Sequence, residues 1–432
     1  RREPPVDNAV RRALAPAIAR LVLASTTSGT TERLAAIAEL EDHDDALAAL
    51  RAALPAQRDG AVRSALVTAI AKHDLASDDP NVRLEAVAAI ERAGSVVLLP
   101  KLRAQLHAET DARVRTAVEQ AIAALERKQR VLDGAASALY GLSTGSVLLL
   151  AALGLAITFG LMGVINMAHG EMLMLGAYAT YATQVFFREY LPAHRDYYLV
   201  AAIPVAFIVC AAAGAMIERS VIRFLYGRPL ETLLATWGVS LLVIQTVRIV
   251  FGAQNVAVEN PRWLTGGVTV FEGVVLPYNR IAVIVFAALV VTAVAVILRK
   301  TSLGLRVRAV TQNRAMAACM GIATKKVDMW TFALGSAFGG LGGVALSQLG
   351  NVGPELGQAY IVDAFMVVVL GGVGKIAGTV VAAFALGIVD KMLEPIAGAV
   401  LGKIAVLLGI VLVIQKRPQG IFAPRGRVVV ES

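Results

Sequence analysis

Residues 154–178 read GLAITFGLMGVINMAHGEMLMLGAY. Apart from Thr158 the first ten are apolar or glycine; Asn166, His169 and Glu171 then follow within six positions before apolar residues resume. An ionisable side chain in hydrocarbon costs a few kcal/mol or more, so the group calls for a partner, a cavity or a function. On one continuous helix, steps of about 100° set Asn166 and His169 roughly 60° apart and Glu171 nearly opposite His169. The three cannot line one path from a single helix. The stretch therefore reads as two membrane spans joined by a polar hinge around Gly170. Glu171 is expected to open the second helix, where its carboxylate meets the positive end of the helix dipole. One His and one Glu are too few for a metal centre, so no metal is expected.

Apolar runs dominate from residue 137 onward, and about 20 helical residues cross a hydrocarbon core. Candidate spans are 137–160, 168–187, 198–218, 230–251, 281–298, 330–349, 360–373, 376–393 and 397–415. Residues 131–432 carry 22 Lys/Arg against 14 Asp/Glu, whereas residues 1–130 are nearly balanced at 19 and 18. The basic excess follows topology rather than a nucleic-acid footprint. Arg219, Arg223 and Arg228 share one loop. Arg299, Lys300, Arg306, Arg308, Arg314, Lys325 and Lys326 share another, and Lys416, Arg417, Arg425 and Arg427 lie in the tail. Counting spans puts all three segments on one face, expected to be cytoplasmic, with the N-terminal part on the periplasmic face. The Asn166–Glu171 group then lies near the inner end of the first two spans, at the cytoplasmic side of a transport path or at a helix break within it.

The N-terminal 130 residues alternate Ala-rich runs with acidic breaks. The pattern D-x-x-V-R, followed by Ile seven residues after the Arg, occurs from Asp59, Asp79 and Asp111, at separations of 20 and 32. The Asp caps a helix and Val, Ala and Ile form one apolar stripe, the signature of a HEAT-like array. The expected fold class is all-α: a polytopic membrane helical bundle with an N-terminal HEAT-like helical-repeat soluble domain. The expected domains are 1–133, 134–420 for the membrane part with about nine spans, and 421–432 as a cytoplasmic tail. The chain opens Arg1-Arg2-Glu3, as a removed leader or a shortened chain would leave it. Cys210 and Cys319 have no CxxC spacing, which argues against a disulfide framework or zinc site.

Gly335, Gly339 and Gly343 form a small-xxx-small ridge for a close helix partner. Gly371, Gly372 and Gly374 suggest tight packing or a helix break. Their sequence GGVGK is not a phosphate loop, because Val369 replaces the first Gly of GxxxxGK[ST] and Ile376 follows the Lys. No nucleotide site, cofactor or catalytic residue is expected in this chain.

Three stretches together resemble the LivH-type permeases of branched-chain amino acid ABC importers. They are residues 154–171, Val369-Leu370-Gly371-Gly372-Val373-Gly374, and Met320-Gly321-Ile322 after a basic loop. Tyr226 to Gly238 (YGRPLETLLATWG), Phe251 to Val258 (FGAQNVAV) and the helical extension ahead of the first span resemble the urea-type (UrtB) subgroup. The resemblance implies a bacterial inner-membrane subunit that forms a translocation path with a second permease. It also implies two separate cytoplasmic ATPases and a periplasmic solute-binding protein as partners, with urea as the solute and branched-chain amino acids or short amides as the alternative. It further implies an ATPase-coupling segment with Arg308, Gln312, Asn313, Arg314, Ala317 and Gly321, helical from Gln312 to Gly321. No Glu precedes its Ala pair, unlike the common form.

A neutral, planar solute rich in hydrogen-bond donors needs amides, hydroxyls and carboxylates along its path. The candidates are Asn166, His169, Glu171, Thr236, Gln245, Gln348 and Asp363. A zwitterion would favour paired opposite charges along the path, and none stands out in the sequence. Other classes predict different behaviour. A proton-coupled carrier would use His169 and Glu171 as a relay, and a passive channel would equilibrate its solute. A membrane anchor for the helical extension would not need nine spans.

Overall fold

Aspartates open three of the helices in the N-terminal unit. Asp59 accepts from Ala61 N at 2.9 Å, Asp79 from Asn81 N at 2.8 Å and Asp111 from Arg113 N at 2.8 Å. Each satisfies a backbone donor left without an intrahelical partner. The computed structural model describes residues 8–25, 28–41, 43–271, 274–417 and 420–422. Arg1-Arg2-Glu3, Arg425, Arg427 and most of the expected tail lie outside the described residues. The chain divides into two units, Arg1–Gly134 and Ala135–Ser432.

In the first unit the helices are α1 (Asn8–Ala24), α2 (Thr30–Leu40), α3 (Leu47–Ala53), α4 (Gly60–Asp74), α5 (Pro80–Ala93) and α6 (Leu99–Ala108), followed by the first part of α7 (Ala112–Met162). Two apolar clusters repeat in sequence. Buried Ala36, Ile37 and Leu40 recur fifty residues on as Ala86, Val87 and Ile90. With the offset widened to 52, Ala46, Leu50, Val62, Leu66 and Ala69 recur as Leu98, Leu102, Val114, Val118 and Ala121. The arginines follow the same rule. Arg33 donates to Ser25 O and Gln57, and Arg83 donates to Ser77 O and Glu109. The structural period is thus three helices. The 20- and 32-residue separations seen in sequence are its two parts.

The second unit contains the rest of α7, then α8 (His169–Tyr190), α9 (Tyr198–Ser220), α10 (Pro229–Phe251), α11 (Tyr278–Lys300), α12 (Ser302–Gln312), α13 (Arg314–Cys319), α14 (Thr324–Ser347), α15 (Leu356–Gly371) and α16 (Ile376–Lys416). Among the described residues six helices are long and apolar enough to cross a membrane by length and composition: α7, α9, α10, α11, α14 and α16. The remaining expected spans fall on α8 and on the 16-residue α15, about 24 Å long and short of a full crossing. The expected spans 376–393 and 397–415 share α16, whose path is broken at Gly398 (φ 77°, ψ 163°). That backbone region is essentially open to glycine alone. One element departs from the all-α expectation. Strands β1 (Gly267–Phe271) and β2 (Val274–Pro277) pair antiparallel, with Val268 opposite Leu276 and Thr269 opposite Val275.

Helix α14 is the packing centre. A Cβ at Gly343 would stand 1.9 Å from Leu173 O, and one at Gly339 would stand 2.7 Å from the His169 ring, so α8 lies directly on this ridge. A Cβ at Gly335 would meet Thr158 of α7 at 2.7 Å. Gly371 is equally close to Gly378, which brings α15 onto α16, while Gly372 and Gly374 take positive φ in the link between those helices.

Candidate translocation and coupling site

Helix α7 ends at Gly163, which takes φ +68°, and α8 begins six residues later. The helix opens at His169 rather than Glu171, which lies in its first turn. The link is not a solvated loop: Val164, Asn166 and Ala168 are all buried. It also turns back into the bundle. His169 Nε2 donates to Ala151 O at 2.9 Å, and the ring rests between Gly154 and Gly339. Ala151 and Gly154 lie two to three turns before Met162, at 3.6 residues per turn. His169 therefore sits part-way along α7, which agrees with the expected helix break rather than with the expected inner end. The N-terminus of α15 arrives at the same place, with Gly357 backbone against Gly170 backbone.

The three polar residues divide. His169 faces the crossing of α7, α8 and α14, fully buried, with Nδ1 unpartnered. Glu171 faces α10, where Ser240 Oγ donates to its Oε1 at 2.8 Å. One turn earlier on the same face, Thr236 Oγ1 accepts from Met167 N at 3.1 Å and donates to Thr232 O at 2.8 Å. Both side-chain polar atoms of Asn166 and Glu171 Oε2 are buried without a protein partner. Buried polar groups are almost always satisfied, so these orphaned atoms make the helix break the candidate polar site.

The other candidates lie elsewhere. Gln245 is exposed on α10 and belongs to no polar group. Gln348, just past α14, accepts from Tyr198 OH at 3.3 Å and donates to Ser347 Oγ at 3.1 Å, while its main-chain O accepts from Asn279 Nδ2 at 3.0 Å. Asp363 of α15 pairs with Lys403 at 2.9 Å. The seven residues thus lie in separate places: Asn166, Glu171 and Thr236 around the helix break, His169 at the α7–α8–α14 crossing, and Gln348, Asp363 and Gln245 each elsewhere. Sequence reasoning missed Ser240, although it lies four residues from Thr236. It also missed Lys403, a lone cation in an apolar run and by default a functional signal.

In the basic segment the expected single helix from Gln312 to Gly321 is two. Asn313 is extended (φ −158°, ψ 100°) and its side chain accepts from Met316 N at 2.9 Å, ending α12 and capping α13. Arg308 donates to Leu298 O, Gln312 is exposed, Ala317 is buried and Gly321 takes φ +82°. Arg314 pairs with Asp328 of α14, and its guanidinium lies 4.8 Å from the Tyr226 ring centroid. Asp328 is almost fully buried, so the short helix is tied to the central helix through a charge that has lost its water. Among the described residues no group of His, Cys, Asp and Glu is arranged to hold a metal.

Residues 137–415 match the family described as branched-chain amino acid transport system / permease component. The chain belongs to this family. The high-affinity branched-chain amino acid transport system permease protein LivH of Escherichia coli K12 is 30% identical over 298 residues, covering 68% of this chain and 95% of LivH. BraD of Pseudomonas aeruginosa, with the same description, is 29% identical over the same coverage. A probable LivH of Methanocaldococcus jannaschii is 26% identical over 261 residues, 57% of this chain and 77% of that protein. No solved structure matches. The protein is thus a transport permease component of the membrane, and residues 1–136 lie ahead of the family match.

Proposed function

We propose that this chain is a translocation subunit of an ATP-driven importer for branched-chain amino acids or short amides. The observation that carries the reading is the match of nearly the whole second unit to permeases whose names specify branched-chain amino acid transport. In this reading the chain pairs with a second permease in the bilayer, and two separate ATPases dock on the basic face through α13. A solute-binding protein delivers from the opposite, periplasmic face, and the chain itself neither binds nucleotide nor needs a cofactor. The Asn166–Glu171–Ser240–Thr236 group is the proposed gate, because its orphaned amide and carboxylate atoms suit an amide or amino-acid solute. Gln348 and Asp363 are proposed as further polar stations. The N-terminal unit is proposed as a HEAT-like docking array on the periplasmic face, consistent with its repeated apolar clusters.

A second reading, urea import, is favoured by residues 226–238 and 251–258, whose wording resembles the urea-type subgroup. One experiment separates the two. The chain is reconstituted with the second permease, the ATPases and the binding protein, and ATP hydrolysis is measured with leucine and with urea. Stimulation by leucine supports the first reading and stimulation by urea alone the second. ATPases that fail to co-purify would remove the importer reading altogether.

A further inference from the structure

A cavity of about 360 Å³ opens between α7, α11, α15 and α16. It lies at the end of the bundle away from the basic segment, since Arg280 is in the first turn of α11 and Lys300 at its last. At about 30 Å³ per water it has room for roughly a dozen water molecules, or for one small organic molecule with its hydration. Its charges are unusual for a wall of membrane helices. Asp363 and Lys403 pair across it at 2.9 Å, and Lys391 on its rim pairs with Glu394. Two charges remain. Asp390 has no ion-pair or hydrogen-bond partner within bonding distance among the described residues, although Lys391 and Lys403 lie close enough to act on its charge, and Arg280 stacks on the Tyr140 ring at 4.8 Å. Both are half-buried and line the same cavity, yet they do not reach each other. The same lining includes apolar Val147, Leu148 and Met366.

A carboxylate and a guanidinium that line one cavity without bonding to each other are complementary to a molecule that carries both charges itself. We propose that this cavity is a binding site for a small zwitterion, its ammonium toward Asp390 and its anionic group toward Arg280, with an aliphatic portion on the Val147–Leu148–Met366 wall. Arg suits the second role because its planar fork binds a carboxylate or phosphate through two hydrogen bonds. An uncharged solute such as urea would bring a counter-charge to neither Asp390 nor Arg280. A free α-amino acid and a phosphatidylethanolamine headgroup share the required chemistry. The site is distinct from the Asn166–Glu171 gate but takes in Asp363, proposed above as a polar station, so the inference deepens the importer reading, and its test requires no ATPase.

The test uses the full-length chain in nanodiscs of phosphatidylglycerol alone, with leucine binding followed by calorimetry. The expected result is saturable binding that weakens about tenfold or more in Asp390→Asn and in Arg280→Gln, the range expected for losing one charge-assisted hydrogen bond. Arg280→Lys should recover part of it. Leucine methyl ester, the corresponding 2-oxo acid and urea should not compete, since each lacks one or both charges. A parallel arm adds phosphatidylethanolamine to the discs and counts retained lipid by native mass spectrometry. One retained molecule that excludes leucine and is lost in both variants identifies a lipid headgroup as the zwitterion. Thermal unfolding of each variant distinguishes lost binding from lost folding. The proposal is overturned if neither leucine nor phosphatidylethanolamine binds stoichiometrically. It also fails if folded variants bind as the native chain does, or if urea competes equally. None of these outcomes bears on ATPase co-purification, on which the importer reading stands or falls.

Discussion

At the scale of single residues, the glycines of α14 set how closely helices approach. In a bilayer the apolar effect between helices is weak, so close van der Waals packing has to hold them together. Gly343 illustrates the demand: any side chain there would enter Leu173 O, and α8 would have to move off α14. Gly343→Ala should therefore lower the thermal unfolding temperature of the purified chain markedly, by a cost of about 3 kcal/mol or more for overpacking. Gly238→Ala on α10, where a Cβ meets nothing within 4 Å, should leave it unchanged or slightly raised. Equal unfolding temperatures for the two variants would mean that the close crossing is absent. The ridge itself was legible in sequence because its four-residue spacing is a helix-surface repeat. The fate of His169 was not. Its ring fills a hollow made by Gly154 and Gly339 on two other helices, a contact that neither spacing nor local composition encodes.

At the scale of elements, apolar runs marked where helices lie but not how far each one extends across the membrane. The link between α7 and α8 contains the same residue types as a surface turn, yet it is buried and returns part-way along α7. Such a reversal depends on what the chain meets in space, here Ala151, Gly339 and Gly357, so span counting left the height of the polar group open between the inner end and a helix break. The break in the basic segment was closer to hand, because Asn313 is a strong N-cap residue directly ahead of an Ala-rich turn. That break leaves α13 held by Arg314 to buried Asp328 and by stacking on Tyr226. In the proposed importer, Asp328→Asn removes the charge but keeps the shape. Basal ATP hydrolysis of the complex should persist while its stimulation by solute falls severalfold, and hydrogen exchange over 314–321 should rise. Undiminished stimulation together with raised exchange would show that this tie does not transmit the signal. Unchanged exchange would show that the tie does not hold α13 at all.

At the scale of the whole molecule, the two units rest on different physics. The membrane unit is held by close glycine crossings, whereas the N-terminal unit repeats an arginine contact with its three-helix period, to an amide in one repeat and to a buried carboxylate in the next. Half of that period was visible in the sequence as Asp caps. The arginine rule was hidden, because Arg33 reaches Gln57 where Arg83 reaches Glu109. The second of these pairs makes stability depend on acid. The Arg83 guanidinium, followed by bonds from Gln105 and the Asp111 amide, holds the Glu109 carboxyl down to about 2 from an ordinary 4.5. A group whose folded value lies below its unfolded one contributes fully above the unfolded value, and that contribution disappears as pH falls toward the folded value. Backbone protection over residues 77–115, measured by hydrogen exchange on the full chain and corrected for the intrinsic pH dependence of exchange, should hold above about pH 5. It should then decline between about pH 4.5 and 2. Residues 29–59 form a built-in control, because the matching contact there is Arg33 to an uncharged Gln57. Arg83→Gln should weaken protection over 77–115 already at neutral pH, since a buried carboxylate loses its cation, and should flatten the acid decline. If both repeats lose protection together over the same pH range, the cause is general acid unfolding and not the Arg83–Glu109 pair.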